Sequence, residues 1–224
     1  MKALITGVTR GIGRAVALQL AEDGYDIVGI ARTENDLSEL KKLLASTGKS
    51  FIGYAVDLGN PQNIEANSAI FNDQFDVIVH NAGLYVENDL YDLSTFETQL
   101  QINFKQVVHL NQYLIPPLIQ QQKGQVFIIG SVVASQARSS ASAYSASKAA
   151  LANYVQSLAH QCRSHHVKVT HVQPGSVNTS SWDKNDASLP VIIQPHDIAL
   201  LISATLKLSA HAWIENLTIK PLNQ

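Results

Sequence analysis

The chain has one cysteine among its 224 residues, Cys162, so no disulfide can form within it. Cys162 lies in a helical run between Gln161 and Arg163, where a thiol serves as a small apolar filler. No apolar stretch approaches the roughly 20 residues that span a bilayer. The glycine-rich turn begins too near Met1 to leave room for a signal peptide, so the sequence predicts a cytoplasmic protein with no membrane partner. Charge is also scarce: the formal net value is −2, with no basic run and no interleaving of basic and aromatic residues. Nothing there argues for nucleic acid as a partner. The eight histidines include His160, His165, His166 and His171, but no cysteine or carboxylate stands at a recognised ligand spacing from them. No metal site is expected. Repeats, linkers and low-complexity tracts are absent as well.

What is present is hydrophobic side chain, 46% of the residues, enough for one sizeable core but short for two. Residues 1–224 therefore read as a single domain. Short apolar runs at 2–6, 26–31, 50–55, 76–80, 125–130, 167–173 and 213–219 alternate with helical segments, the longest at 94–122 and 141–164. That alternation predicts an α/β fold, a doubly wound and mainly parallel seven-stranded sheet with helices on both faces.

The first apolar run, Lys2 to Thr6, ends in Gly7, and Gly11 and Gly13 follow before the helix-favouring stretch from Arg14 to Ala21. Strand, glycine turn and helix in that order suit a pyrophosphate. Glycines let the chain turn tightly and approach the ligand, and the helix amino terminus offers free N–H groups and a positive dipole end. The spacing is G-x-x-x-G-x-G rather than G-x-G-x-x-G, and the turn alone also fits an ordinary strand–helix connection.

Further along, Tyr144 and Lys148 are four residues apart in a helical run and share a face. An ammonium beside the phenol favours phenolate and would lower the tyrosine pKa. Such a tyrosine can give a proton to a carbonyl oxygen or take one from an alcohol. Ser131 closes the apolar run 125–130, and its hydroxyl can hydrogen-bond the same oxygen.

In this order and spacing, these residues resemble the short-chain dehydrogenase/reductase family, in the group with a T-G-x-x-x-G-I-G turn and a Y-x-x-x-K site. The likeness covers nearly the whole chain. It implies a Rossmann-type domain and an NAD(P)-linked oxidoreductase, with Gly7, Thr9, Arg10, Gly11, Ile12 and Gly13 as the cofactor turn. It makes Tyr144 the general acid/base and Ser131 the group that orients the substrate oxygen. Lys148 lowers the tyrosine pKa and holds the nicotinamide ribose, and Asn103 supports a relay water. By the same likeness Asn81, Ala82 and Gly83 flank the adenosine, and Asp57 and Leu58 meet the adenine. Pro174, Gly175, Val177 and Thr179 belong to the P-G-x-V-x-T segment at the nicotinamide carboxamide. His80 replaces an asparagine usual in the family and reads as a strand-end side chain. The family implies a homodimer or homotetramer, with helices 94–122 and 141–164 at the interface. A face buried on the sheet accounts for their apolar content equally well. The carboxyl-terminal strand lacks the glycine pair that many relatives carry after it.

Cofactor choice turns on charge at the end of the second strand, where an acidic side chain would favour NAD over NADP. Here that place holds Ala31, with Arg32 next to it and Arg10 in the glycine turn, and two guanidiniums suit a 2′-phosphate. Glu34 or Asp36 reaching the ribose is the competing reading. NADP(H) is expected over NAD(H). By the likeness the substrate is a small-molecule carbonyl or alcohol, and the segment from Ser176 to about Gln194, with Trp182, Asp183, Lys184, Leu189 and Pro190, closes its pocket. The expected activity is reversible reduction of a carbonyl with NADPH. NAD-linked alcohol oxidation is the alternative, and a non-catalytic dinucleotide sensor belongs to a different class.

Overall fold

The computed structural model describes residues 1–179 and 192–222. In chain order it runs β1 (Lys2–Thr6), α1 (Gly11–Glu22), β2 (Asp26–Ala31), α2 (Glu34–Leu44), β3 (Phe51–Ala55), α3 (Pro61–Ala66), α4 (Ser68–Phe71) and β4 (Val77–His80). It continues with α5 (Leu93–Leu100), α6 (Gln106–Gln121), β5 (Gly124–Ile129), α7 (Ser142–Arg163), β6 (Val167–Pro174), α8 (Pro195–Leu206) and β7 (Asn216–Ile219). The seven strands form one sheet in the order β3-β2-β1-β4-β5-β6-β7, every neighbouring pair parallel.

A parallel sheet needs cover on both faces, and the strands supply apolar side chains to each in alternation. Ala3, Ile5, Val77, Val79, Phe127 and Ile129 pack with α1, α2 and α8. Leu4, Ile78, Val126, Ile128 and Val169 pack with α6 and α7 through Leu110, Leu114, Leu151 and Val155. Burial of each such side chain contributes about 1.5–3 kcal/mol, so register is strongly specified: a one-residue slip would exchange the two faces.

Most elements fall within a residue of the sequence reading, and two depart further. The last strand begins at Asn216, because the preceding residues are tied to β6 by side chains: Trp213 Nε1 donates to the Val169 carbonyl at 3.0 Å, and Thr170 Oγ1 donates to the Ile214 carbonyl at 2.6 Å. The helical stretch 94–122 is not uniform either. A single π turn, Gln101–Lys105, separates α5 from α6. No helix among the described residues is long and apolar enough to cross a membrane.

The strand order reverses between β1 and β4. In open α/β sheets that reversal leaves a crevice beyond the carboxyl ends of the strands. A cavity of about 720 Å³ lies there, running from the turn after β1 to the start of α7.

Candidate active site

The crevice is built first from β1 and its turn. Gly7 and Gly11 have φ of +64° and +52°, the left-handed region that favours glycine. Arg10 sits at the N-cap of α1 without a side-chain capping bond, and the first turn carries no acidic residue, so helix donors and dipole are left for an anion. Gly7, Thr9, Arg10, Gly11 and Ile12 line the cavity. Gly13 is not among the lining residues. A Cβ there would run into the Gly7 carbonyl, so its smallness serves the close packing of helix on turn.

The turn is laced to the segment after β4. Thr6 Oγ1 accepts from the backbone N–H groups of Asn81 and Ala82, both at 3.0 Å. Asn81 Nδ2 donates in return to the carbonyls of Thr6 and Gly7, each at 3.0 Å. Thr6 is buried and is the threonine that opens the T-G-x-x-x-G-I-G turn. Asn81, Ala82 and Gly83 line the cavity, as do Asp57 and Leu58 after β3 and Pro174, Gly175, Val177 and Thr179 after β6. Trp182, Asp183, Lys184, Leu189 and Pro190 lie outside the described residues.

At the end of β2, Ala31 is buried, and Arg32, Thr33 and Asp36 reach the cavity wall. Thr33 Oγ1 donates to the Asp36 carboxylate at 2.6 Å, and Glu34 and Asp36 occupy the first turn of α2, where carboxylates suit the dipole. Among the described residues neither Arg10 nor Arg32 forms an ion pair within 4.0 Å.

The chemical end of the cavity draws on three elements. Ser131 follows β5, is buried, and accepts a hydrogen bond from Val133 N at 3.3 Å. Tyr144 sits in the first turn of α7, whose start is held from outside the helix: Asn88 Oδ1 accepts from Ala143 N at 3.1 Å, and Asn88 Nδ2 donates to Ser142 Oγ at 3.0 Å. Burial pushes the Tyr144 phenol above its ordinary value, while a hydrogen bond with Ser131 and the nearby Arg138 charge pull it back. Lys148 Nζ donates to the Ile129 carbonyl at 2.9 Å and lies 5.7 Å from the centre of the Tyr144 ring. Burial lowers Lys148 itself to about 8.

Asn103 is in the π turn and is buried. Its Oδ1 accepts from Leu84 N at 2.8 Å, and its Nδ2 donates to the Leu84 carbonyl at 2.9 Å and to Ser147 Oγ at 3.0 Å. The side chain thus fastens the segment after β4 to α7. Beneath the site, His171 of β6 occupies the space where a side chain at Gly130 would stand, and its Nε2 has no hydrogen-bond partner among the described residues. His80 is buried at the end of β4 with Nε2 2.8 Å from Asn111 Oδ1, a structural contact rather than a reacting one.

Tyr85, Glu87 and Arg138, not singled out from the sequence, line the same end of the cavity. Tyr85 meets the Tyr144 ring edge-on, with centroids 5.1 Å apart, and its hydroxyl donates to Glu87 at 3.3 Å. Arg138 had one visible signal, a lone cation between the serine and the tyrosine. The arrangement as a whole can hold a dinucleotide along the glycine turn, and can present two hydroxyls to one substrate oxygen.

A family model for short-chain dehydrogenases matches residues 1–189. An oxidoreductase from Staphylococcus epidermidis is 28% identical over 225 residues, covering 98% of this chain and 96% of that protein. A 3-oxoacyl-(acyl-carrier-protein) reductase from Vibrio cholerae is 31% identical over 182 residues, covering 79% of this chain and 73% of that protein. Among solved structures, a metagenomic short-chain oxidoreductase in complex with NADP aligns at a TM-score of 0.87 and 25% identity, covering 100% of this chain and 98% of that one.

Proposed function

The chain belongs to the short-chain dehydrogenase family, and from that membership we propose that it is an NADPH-dependent carbonyl reductase, running in reverse as an alcohol dehydrogenase. One observation carries the reading. Ser131, Tyr144 and Lys148 line a single cavity that begins at an uncapped, glycine-bounded helix terminus. Those residues fit a nicotinamide dinucleotide, which when bound supplies the hydride to the carbonyl carbon.

In this reading the Ser131 and Tyr144 hydroxyls orient the carbonyl oxygen. Tyr144, kept protonated by its buried setting, gives its proton to that oxygen as charge develops. Lys148 has three N–H donors, of which the Ile129 carbonyl takes one, so two are left for a ribose hydroxyl. Asn103 and Asn88 hold the wall and the helix start that aim the tyrosine.

The choice of NADPH rests on Arg10 and Arg32, two cations without ion-pair partners among the described residues, beside the buried Ala31 where an acid would favour NAD. The solved relative with NADP bound supports the same preference. The proposal includes a cytoplasmic homo-oligomer built on the outer faces of α6 and α7, which sedimentation of the purified protein tests.

The decisive assay follows NADPH oxidation across a panel of ketones, aldehydes and diketones. Tyr144→Phe should lower the rate by about 10²–10⁴-fold with cofactor binding retained. Arg32→Ala should weaken kcat/KM for NADPH by about tenfold and leave NADH nearly unchanged. Equal efficiencies with the two cofactors in the wild type would count against the preference.

A further inference from the structure

Among the described residues, the substrate end of the cavity carries one cation with no assigned task. Arg138 lies on a tight turn fastened to the catalytic helix: its N–H donates to Ser145 Oγ at 3.2 Å, and its carbonyl accepts from Ala141 N at 3.1 Å. Ser145 Oγ in turn donates to the Ala141 carbonyl at 2.9 Å. Ser145 is the residue after Tyr144, so the backbone of Arg138 is held beside the proton donor itself. The Arg138 side chain is exposed, lines the cavity, and forms no ion pair within 4.0 Å among the described residues. Glu87 lines the same end, but its carboxylate accepts from the Tyr85 hydroxyl and makes no ion pair with the arginine. Leu84, Val86, Val132 and Val133 add apolar side chains to the same cavity.

A planar guanidinium presents paired N–H donors that match an oxyanion in bidentate fashion. Resting on the reductase reading above, we propose that Arg138 binds a carboxylate on the substrate, so that the enzyme acts on small oxo acids and their hydroxy-acid counterparts. With the carboxylate on Arg138 and the carbonyl oxygen on Ser131 and Tyr144, the substrate is held at both ends. The apolar side chains then cover the short carbon chain between them.

The test compares matched pairs. Pyruvate, acetoacetate and levulinate are each assayed with NADPH beside the methyl ester of the same acid, in wild type, Arg138→Gln and Arg138→Lys. Dihydroxyacetone phosphate beside dihydroxyacetone forms a phosphate arm. The wild type should favour at least one free acid over its ester by tenfold or more in kcat/KM. Arg138→Gln should lower kcat/KM for the free acid by tenfold or more, mainly through KM, and for the ester by much less, and Arg138→Lys should restore part of the preference. Preference for the phosphate over every carboxylate overturns the carboxylate assignment. So does a wild type that reduces esters as well as acids, or an Arg138→Gln variant that loses both alike, and each of these outcomes leaves the reductase reading standing. Failure to reduce any compound in the panel overturns both.

Discussion

The least comfortable residue in the site is Lys148. Its ammonium is buried with one backbone carbonyl as a recorded partner, and burial brings its pKa to about 8 from an ordinary 10.5. The sign follows from linkage. The unfolded chain binds this proton more tightly than the folded one, so between pH 8 and 10.5 stability rises with pH, and at neutral pH the full cost is present. That cost is on the order of 3 kcal/mol. Lys148→Met should therefore raise the melting temperature by several degrees while lowering kcat/KM by tenfold or more. A melting temperature that falls would show that the hydrogen bond to Ile129 outweighs desolvation. The sequence made Lys148 legible as a partner of Tyr144, because four-residue spacing on a helix fixes the shared face. It did not show where the ammonium points, since that depends on a carbonyl contributed by β5.

Among elements, β5 and β6 are fitted to each other at the back of the site. A Cβ on Gly130 would fall within the His171 imidazole, which is buried and fills the gap. Gly130→Ala should destabilise the protein by about 1–3 kcal/mol and disturb Ser131, the next residue. The double variant Gly130→Ala/His171→Ala should recover much of the loss. Urea midpoints for the singles and the double give the coupling, and additive effects would refute the fit. Strands β1 and β2 were readable to the residue from apolar runs, and both long helices were found. The π turn that carries Asn103 was not, because it depends on Asn103 being drawn to Leu84 and Ser147 rather than on any local preference. The short reach of β7 was hidden for the same reason, its lead-in being bound by Trp213 and Thr170.

For the molecule as a whole, two neutral histidines inside the core set a limit in acid. Burial lowers His80 to about 4, and burial with the Lys148 charge lowers His171 to about 4, against an ordinary 6.5. Their contribution is complete above pH 6.5 and is lost as pH falls toward 4, each on the order of 3 kcal/mol. Urea unfolding at pH 7.5, 5.5 and 4.5 should show midpoints dropping by similar amounts over the two intervals. An unchanged midpoint would place both imidazoles in contact with water. The fold class was legible in full from alternating runs, whereas Arg138, Tyr85 and Glu87 were not, because a cavity wall assembled from separate segments leaves no local pattern. The reversal of strand order also divides the labour of the site between two inheritable parts. Residues that would choose the dinucleotide, Arg10 and Arg32, stand on the β1–β2 half, and those that would choose the carbonyl compound, Tyr85 and Arg138, stand on the half that follows β4. Because the two sets stand on separate segments of the chain, substitutions in one can alter the electron donor without touching the other.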